Sequence, residues 1–260
     1  TWDTQIAMHV LNENERFQGG SYQLKDLVTK YLKIPSQTYD ELFGQRGFDE
    51  VSDLRVATAY AAKDGDVTLK LRDFQRFHLD KIGLLEYYET VENPTISVAI
   101  EMEQAGFVLD QERAKVLGKD LSEELTVIER GLREHFGEIN FRSPTQLSEK
   151  FYGELRLNRH LPKGTKLSTD VKTLEMLAPH NQGIELLLQY REKSKLLGTY
   201  IEALPKQVKS DGRIHGNFNQ SGTVTGRFSS NQPNLQNQPY FARQLFVAPE
   251  GKVILSGDFS

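Results

Sequence analysis

The run from Asp110 to Gly137 constrains the fold more than any other part of this sequence. Its leucine and isoleucine residues recur at helical spacing, as in a helix that covers a core with one face. Asp110 is a favourable N-cap and Gly137 a favourable stop, so we predict one long helix ending near Phe136. The stretch from Asp53 to His78 has similar spacing behind another N-cap, which predicts a second long helix.

Shorter signals predict further helices. Ser143 begins a capping-box pattern with Pro144 at the first helical position. Ser168 or Thr169 is expected to cap the helix that follows the next loop. A further helix is predicted over residues 183–204, which precede a proline.

Strand signals are few and concentrate near the end of the sequence. Phe107 to Leu109 predicts a short strand, and residues 213–220 have the alternation of another. Residues 229–239 are typical of a loop, whereas Lys252 to Leu255 is a short β-type run. We therefore predict an α/β fold, more closely an α+β multi-domain arrangement.

Charge is distributed unevenly along the chain. Residues 1–141 carry 16 Lys and Arg against 26 Asp and Glu, whereas residues 142–213 carry 13 against 8. An acidic body followed by a basic segment suits a protein that holds a polyanion with one part only. A chance fluctuation on solvated helices would give the same totals.

Composition excludes several classes of protein. With 260 residues the chain is long enough for one large or two modest domains. The sequence contains no cysteine, which rules out disulfides and thiolate metal sites. Its apolar runs are shorter than the roughly 18 residues that a membrane helix needs, so we expect no membrane partner. The lack of cysteine suits a reducing compartment, and we expect a cytoplasmic location.

The sequence Thr225-Gly-Arg-Phe-Ser-Ser is followed by Pro233-Asn-Leu-Gln-Asn and Pro239. The minor groove of duplex DNA offers a nearly sequence-independent pattern of acceptors. Arginine and amide side chains can contact that pattern without reading the sequence. A polar turn whose side chains cap the backbone is the alternative interpretation.

These two motifs resemble the signature of family A DNA polymerases, the DNA polymerase I kind. His215 to Gln220 resembles the strand before the signature, and Leu255-Ser-Gly-Asp-Phe-Ser resembles the run that holds the first catalytic aspartate. The resemblance implies template-directed nucleotidyl transfer to a primer 3′-hydroxyl, in DNA replication or repair. It implies primer-template DNA and a dNTP as partners, and DNA contacts from Arg227, Asn234, Gln236, Asn237, His215 and Gln220.

The same resemblance implies a two-metal site. Asp258 would be the first catalytic aspartate and a Mg²⁺ ligand, and the backbone carbonyl of Phe259 would be a further ligand. The remaining catalytic groups would follow Ser260. We therefore expect that the chain alone binds primer-template but does not polymerise.

Tyr60 and Asp64 are four residues apart in the predicted second helix, so they share one face. Their context resembles the Tyr-x-x-x-Asp motif of DnaQ/RNase H-like 3′–5′ proofreading exonucleases. There Asp64 would bind metal and the Tyr60 hydroxyl would orient the attacking water. A core tyrosine beside a solvated aspartate is the alternative.

The basic segment resembles the polymerase thumb. Arg191 and Lys195, four apart in a Tyr-Arg-x-x-x-Lys-Leu helix, would face duplex phosphates, with further contacts from Lys163, Lys166, Ser168 and Thr169. The resemblance divides the chain into the end of an exonuclease-like domain, a connection with the long thumb helix, basic thumb helices and the start of an antiparallel-sheet palm, at residues 1–84, 85–141, 142–210 and 211–260.

Three hypotheses remain open. The chain is a segment of a DNA polymerase with a proofreading domain, a nuclease or DNA-binding accessory subunit on the same scaffold, or one half of a split polymerase. The first and third require an N-terminal exonuclease segment and a C-terminal palm and fingers, in the same chain or in a second one. The compact sequence between Pro239 and Phe246 favours a bacteriophage-type member.

Overall fold

The computed structural model describes residues 1–16 and 18–257. The described chain is rich in helices and contains little sheet. Its α-helices, in chain order, are α1 Thr4–Leu11, α2 Leu24–Leu27, α3 Tyr39–Phe43, α4 Leu54–Lys81, α5 Leu85–Tyr87, α6 Asn93–Ala105, α7 Gln111–Phe136, α8 Pro144–Ser148, α9 Val171–Leu177, α10 Gln182–Lys195 and α11 Tyr240–Arg243. Its strands are β1 Phe107–Leu109, β2 Arg213–Ile214, β3 Asn217–Asn219, β4 Ser229–Asn231 and β5 Phe246–Val247.

Short helical segments of wider or tighter geometry extend or link these helices. Within the described residues, the π-type segments are Val28–Leu32, Tyr88–Glu92, Glu149–Glu154 and Leu196–Ile201. The 3-10 segments are Phe48–Glu50, Leu157–His160, Ala178–His180 and Pro205–Gln207. The π-type segment Leu196–Ile201 directly continues α10, so the helix predicted over residues 183–204 changes its geometry after Lys195.

The chain forms two compact units, each built from two separate stretches. The first unit contains Thr1–Ala105 and Gly216–Gln236, and the second contains Gly106–His215 and Asn237–Ser260. The four segments predicted from the sequence stay a prediction, since this division follows packing and not domain ancestry.

The second unit is organised around α7, the long helix predicted from Asp110. The Asp110 carboxylate accepts a hydrogen bond from the Arg113 backbone N–H at 2.9 Å, and Gly137 ends the helix with φ of 78°, a value that glycine adopts without strain. One face of α7 packs against α10. The buried cluster that results contains Leu125, Leu132, Phe136, Phe141, Leu147, Phe151, Leu157, Leu174, Leu177, Ile184, Leu187 and Tyr190.

A three-stranded antiparallel sheet completes the second unit. Its strand order is β2-β1-β5, with Phe107 opposite Ile214 and Leu109 opposite Phe246. The predicted strand at Phe107 is therefore confirmed, and it is the central strand.

The first unit is organised around α4, which runs for 28 residues from its N-cap Asp53. Two small apolar clusters hold it. Leu27, Val67 and Leu71 are buried in one, together with Met8 of α1, Tyr22 and Val28. Leu79 and Tyr88 are buried in the other. The strands β3 and β4 pair as an antiparallel hairpin in this unit, and the Glu103 carboxylate of α6 accepts from the Phe218 N–H at 2.6 Å.

Three local predictions were wrong. The cap of α9 is Asp170, because this residue directly precedes the first helical residue, Val171. Its carboxylate accepts a hydrogen bond from the Thr173 N–H at 2.8 Å. Ser229–Asn231 is a strand and not a loop, because β3 supplies its backbone partners. Residues 252–255 form no strand, and Val253, Ile254 and Leu255 are exposed, because no described segment pairs with them.

Candidate nucleic-acid interface

An open depression in the second unit collects three cationic side chains. It lies between the start of α8, the turn before α9, and the end of α10 with the π-type segment after it. Arg142, Arg191 and Lys195 line it, against the two carboxylates of Asp170 and Glu202. Its hydroxyl groups come from Ser168, Thr169, Ser194 and Thr199. Such a depression can hold phosphate groups by charge and by hydroxyl hydrogen bonds.

Arg191 lines the depression and also makes a hydrogen bond within the protein. Its guanidinium donates a hydrogen bond to the Thr169 carbonyl oxygen, and burial lowers its pKa from the ordinary arginine value. The remaining N–H groups of a guanidinium can still donate to an anion. Arg191 therefore stabilises the turn that forms one wall of the depression. The sequence did not indicate this structural role.

The turn before α9 is held by local hydrogen bonds. The Ser168 hydroxyl donates to the Asp170 carboxylate at 2.9 Å and accepts from the Asp170 N–H at 3.1 Å. The hydrogen bond from the Thr173 N–H, with that from Ser168, lowers the Asp170 pKa. A carboxylate thus caps the start of α9, where the resemblance implied phosphate contacts, and Thr169 is buried.

Lys195, Lys163 and Lys166 have exposed side chains, the last two on the loop before that turn. The hydroxyl of Ser194, in the wall of the depression, is buried and has no hydrogen-bond partner among the described residues. The structure thus brings Arg191, Lys195, Ser168 and Thr169 to one depression. Lys163 and Lys166 do not line it.

The residues of the Thr-Gly-Arg motif lie in the hairpin of the first unit. The Thr223 hydroxyl donates to the Arg227 carbonyl at 2.8 Å, which closes the loop between β3 and β4, and Gly226 has φ of 71°. Arg227 itself is exposed. Gln220, predicted to contact DNA, donates its amide to the carbonyl oxygen and carboxylate of Glu92, each at 3.0 Å.

The amide residues after the hairpin have mixed roles. The Asn234 side chain accepts from the Gln236 N–H at 3.1 Å, as in the alternative interpretation of this segment as a capped turn. Asn234 and Gln236 are nevertheless exposed. Ser230 anchors the segment, because its hydroxyl accepts from the Leu235 N–H at 3.2 Å.

His215 and Asn237 belong to the second unit. The His215 ring is 3.0 Å from the Asp211 carboxylate. Burial opposes ionisation of Asp211, but hydrogen bonds from the Arg213 N–H and from His215 hold its pKa below the ordinary value. Asn237 is exposed.

Tyr60 and Asp64 lie together on α4, as the spacing predicted. A third residue, Lys25 of α2, joins them. Its ammonium forms an ion pair with the Asp64 carboxylate and lies 4.5 Å from the centre of the Tyr60 ring. The rings of Tyr39 and Phe43 of α3 also contact the Tyr60 ring edge to face.

The described residues do not form a metal site at Asp64. Residues 1–16 and 18–257 contain no group of three or more His, Asp or Glu side chains placed to hold an ion, and Lys25 already occupies the Asp64 carboxylate. The predicted ligands Asp258 and Phe259 lie outside the described residues. Their Mg²⁺ site stays a prediction.

Residues 111–260 match the family model described as DNA polymerase family A. The chain belongs to this family. The match begins at the start of α7 and includes the basic depression of the second unit. It also includes the hairpin with Arg227.

Relatives agree with this assignment. DNA polymerase I of Treponema pallidum is 33% identical over 270 residues, covering 100% of this chain and 26% of the relative. DNA polymerase I of Borreliella burgdorferi is 34% identical over 269 residues, covering 100% and 29%. The chain thus spans between a quarter and a third of the length of these two relatives.

A solved structure is similar as well. The POL domain of Pol1 from M. smegmatis, in complex with DNA primer-template and dNTP, superposes with a TM-score of 0.78 at 28% sequence identity. The alignment covers 96% of this chain and 41% of that one.

The helices in the described part of the chain were also compared with the length and hydropathy of a membrane span, and none of them reaches both.

Sequence reasoning missed Lys25, Arg142 and the aromatic residues beside Tyr60. Tyr39 and Phe43 carried a usable signal, since aromatic residues four apart share a helix face. Lys25 carried none, because it contacts Asp64 across 39 residues of chain.

Proposed function

We propose that this chain is the part of a template-directed DNA polymerase that holds primer-template DNA. The observation that carries the proposal is the basic depression of the second unit, which lies within the stretch matched by the family. The POL domain to which the chain is similar was solved with DNA primer-template and dNTP. The whole reaction, nucleotidyl transfer to a primer 3′-hydroxyl, belongs to the complete polymerase.

The two units have separate roles in this proposal. In the second unit, Lys195, Arg142 and the remaining N–H groups of Arg191 bind backbone phosphates, which fixes the duplex without reading its sequence. In the first unit, Arg227 and Gln236 donate to base edges in the minor groove, where the acceptor pattern hardly depends on sequence. Mg²⁺, when bound, would stabilise the charge of the transferring phosphoryl group.

Duplex binding tests the proposal. Fluorescence anisotropy of a labelled primer-template would be measured for the 260-residue chain over a range of salt concentrations. Each cationic side chain that neutralises a phosphate steepens the slope of log K against log salt by about 0.9. Lys195→Gln should therefore weaken binding and make the slope shallower by the amount expected for one phosphate.

Lys70→Gln is the matched control. Lys70 is an exposed lysine of α4 in the first unit, paired with Asp66 at 2.7 Å, so its replacement should leave the slope unchanged. Equal effects of Lys195→Gln and Lys70→Gln would contradict a specific phosphate interaction in the depression. Binding that is independent of salt would contradict the proposal as a whole.

A 3′–5′ proofreading activity is the second candidate, and the shared face of Tyr60 and Asp64 favours it. A nuclease or accessory subunit on the same scaffold would use the same pair. Release of mononucleotides from a 3′-labelled single strand by the chain, abolished by Asp64→Asn, would support this candidate. No release would contradict an exonuclease activity of these 260 residues alone.

A further inference from the structure

The Asp64 carboxylate, which the motif assigns to metal binding, is already paired with the Lys25 ammonium. We propose that Lys25 is a positioning residue that takes the place of a metal ion beside Asp64 and holds the Tyr60–Asp64 pair in shape. The proposal goes beyond the proofreading candidate and competes with it at the same residues, because that candidate assigns Asp64 to metal binding. The ion pair itself does not depend on that activity.

Core packing fixes the position of Lys25. Leu27, two residues further along α2, is fully buried in one cluster with Val67 and Leu71 of α4. The short helix that carries Lys25 is thereby anchored to the helix that carries Asp64. The side chain of Lys25 is only 13% exposed, so most of its surface is covered by the surrounding protein.

The ammonium has two fixed partners of complementary character. The Asp64 carboxylate receives its hydrogen bond, and the face of the Tyr60 ring, 4.5 Å away, attracts the same positive charge. The neighbouring lysine does not compete for Asp64, because the Lys63 ammonium donates to the Pro35 carbonyl at 2.9 Å. Lys25 is therefore placed to orient both side chains at once.

Within the described residues, the charge of the Asp64 carboxylate is matched by a lysine. Mg²⁺ needs several oxygen ligands and is held in proteins by carboxylates with bound water or phosphate. Among the described residues, no second and third acidic or histidine side chain joins Asp64 to form such a set. A single positive charge matches a single carboxylate, and Lys25 supplies it.

Paramagnetic broadening by Mn²⁺ tests the proposal on the full 260-residue chain. Bound Mn²⁺ broadens the amide NMR signals of residues around it, which reports position and not activity. With one equivalent of Mn²⁺, the signals of Tyr60 and Asp64 in the wild-type chain should be broadened no more than those of exposed acidic residues elsewhere. Selective broadening of these two signals would overturn the proposal, and this arm needs no variant.

Variants separate the charge of Lys25 from its bulk. Lys25→Met should allow Mn²⁺ to broaden Tyr60 and Asp64 at lower concentration, and Lys25→Arg should restore the wild-type behaviour. Lys63→Met is the matched control and should change nothing at these signals. No difference between Lys25→Met and wild type would also overturn the proposal.

The two proposals fail separately. Primer-template binding measured by anisotropy should be the same for Lys25→Met and wild type, because Lys25 of α2 is neither in the basic depression nor in the segment that carries Arg227 and Gln236. If the wild-type chain did not bind duplex DNA, while Mn²⁺ broadened the Tyr60 and Asp64 signals only as expected, the proposed function alone would be contradicted.

Discussion

The core around α7 and the region around α1 and α4 are stabilised in different ways. In the first, a large cluster of buried aliphatic and aromatic side chains holds the helices. In the second, smaller apolar clusters are supplemented by buried polar groups, including Glu15 and Gln75. The difference shows that one chain combines an apolar core, which tolerates exchange of similar side chains, with polar contacts that need specific partners.

Glu15 is the clearest example of the second kind. Its side chain is 1% exposed, and it accepts hydrogen bonds from Lys30 at 2.6 Å, Tyr31 at 2.7 Å and Asn12 at 2.9 Å. Burial alone would raise the pKa of Glu15, but the hydrogen bonds from Lys30 and Tyr31 lower it overall. Satisfied acceptors of this kind are costly to leave without partners.

The largest effect should come from the apolar core. Phe136→Ala removes an aromatic ring that is 1% exposed, and it should lower the free energy of unfolding by about 3 to 5 kcal/mol, because a cavity remains. Urea denaturation would measure it. Val127→Ala, on the same helix but 64% exposed, is the control and should cost little. Similar decreases for both would contradict the comparison.

Glu15→Gln should cost less, about 1 to 3 kcal/mol, because only charge-assisted hydrogen bonds are weakened. The folded-state pKa of Glu15 is lowered, so its contribution is fully present above the unfolded-state pKa. The contribution disappears as pH falls through the folded-state pKa. Urea denaturation of both proteins over acidic pH should therefore show a shallower decline for Glu15→Gln. Parallel curves would mean that Glu15 is not stabilised as an anion.

The cap of α7 should contribute about 1 kcal/mol to stability, because removal of such a cap costs roughly 0.5 to 2 kcal/mol. Asp110→Ala removes the acceptor for the Arg113 N–H. Asp120→Ala removes an exposed carboxylate from the interior of the same helix and should be nearly neutral. Thermal unfolding of both variants would compare them, and an equal shift would argue against capping.

The smallest effect should come from an exposed ion pair. Lys70 and Asp66 are 2.7 Å apart and each more than half exposed, so Lys70→Gln should cost only about 0.3 to 0.5 kcal/mol. Added salt should remove most of that difference. A decrease in stability as large as that of Glu15→Gln would show that burial does not explain the difference between the Glu15 contacts and the Lys70–Asp66 pair.

The sequence by itself determined the long helices, the central strand at Phe107, and the family. Periodicity, caps and glycine stops act within a few residues, so they are readable along the chain. The signature around Arg227 is also local, and its match to the family did not require a structure.

Only the tertiary structure decided which distant groups meet. Lys25 and Asp64 are 39 residues apart, and Arg191 reaches the carbonyl of Thr169 across 22. Pairing likewise made Ser229–Asn231 a strand, whereas the apolar run at residues 252–255 has no strand partner among the described residues. Local sequence sets the propensity of a segment, but partners from elsewhere in the chain decide whether its charges and backbone groups are satisfied.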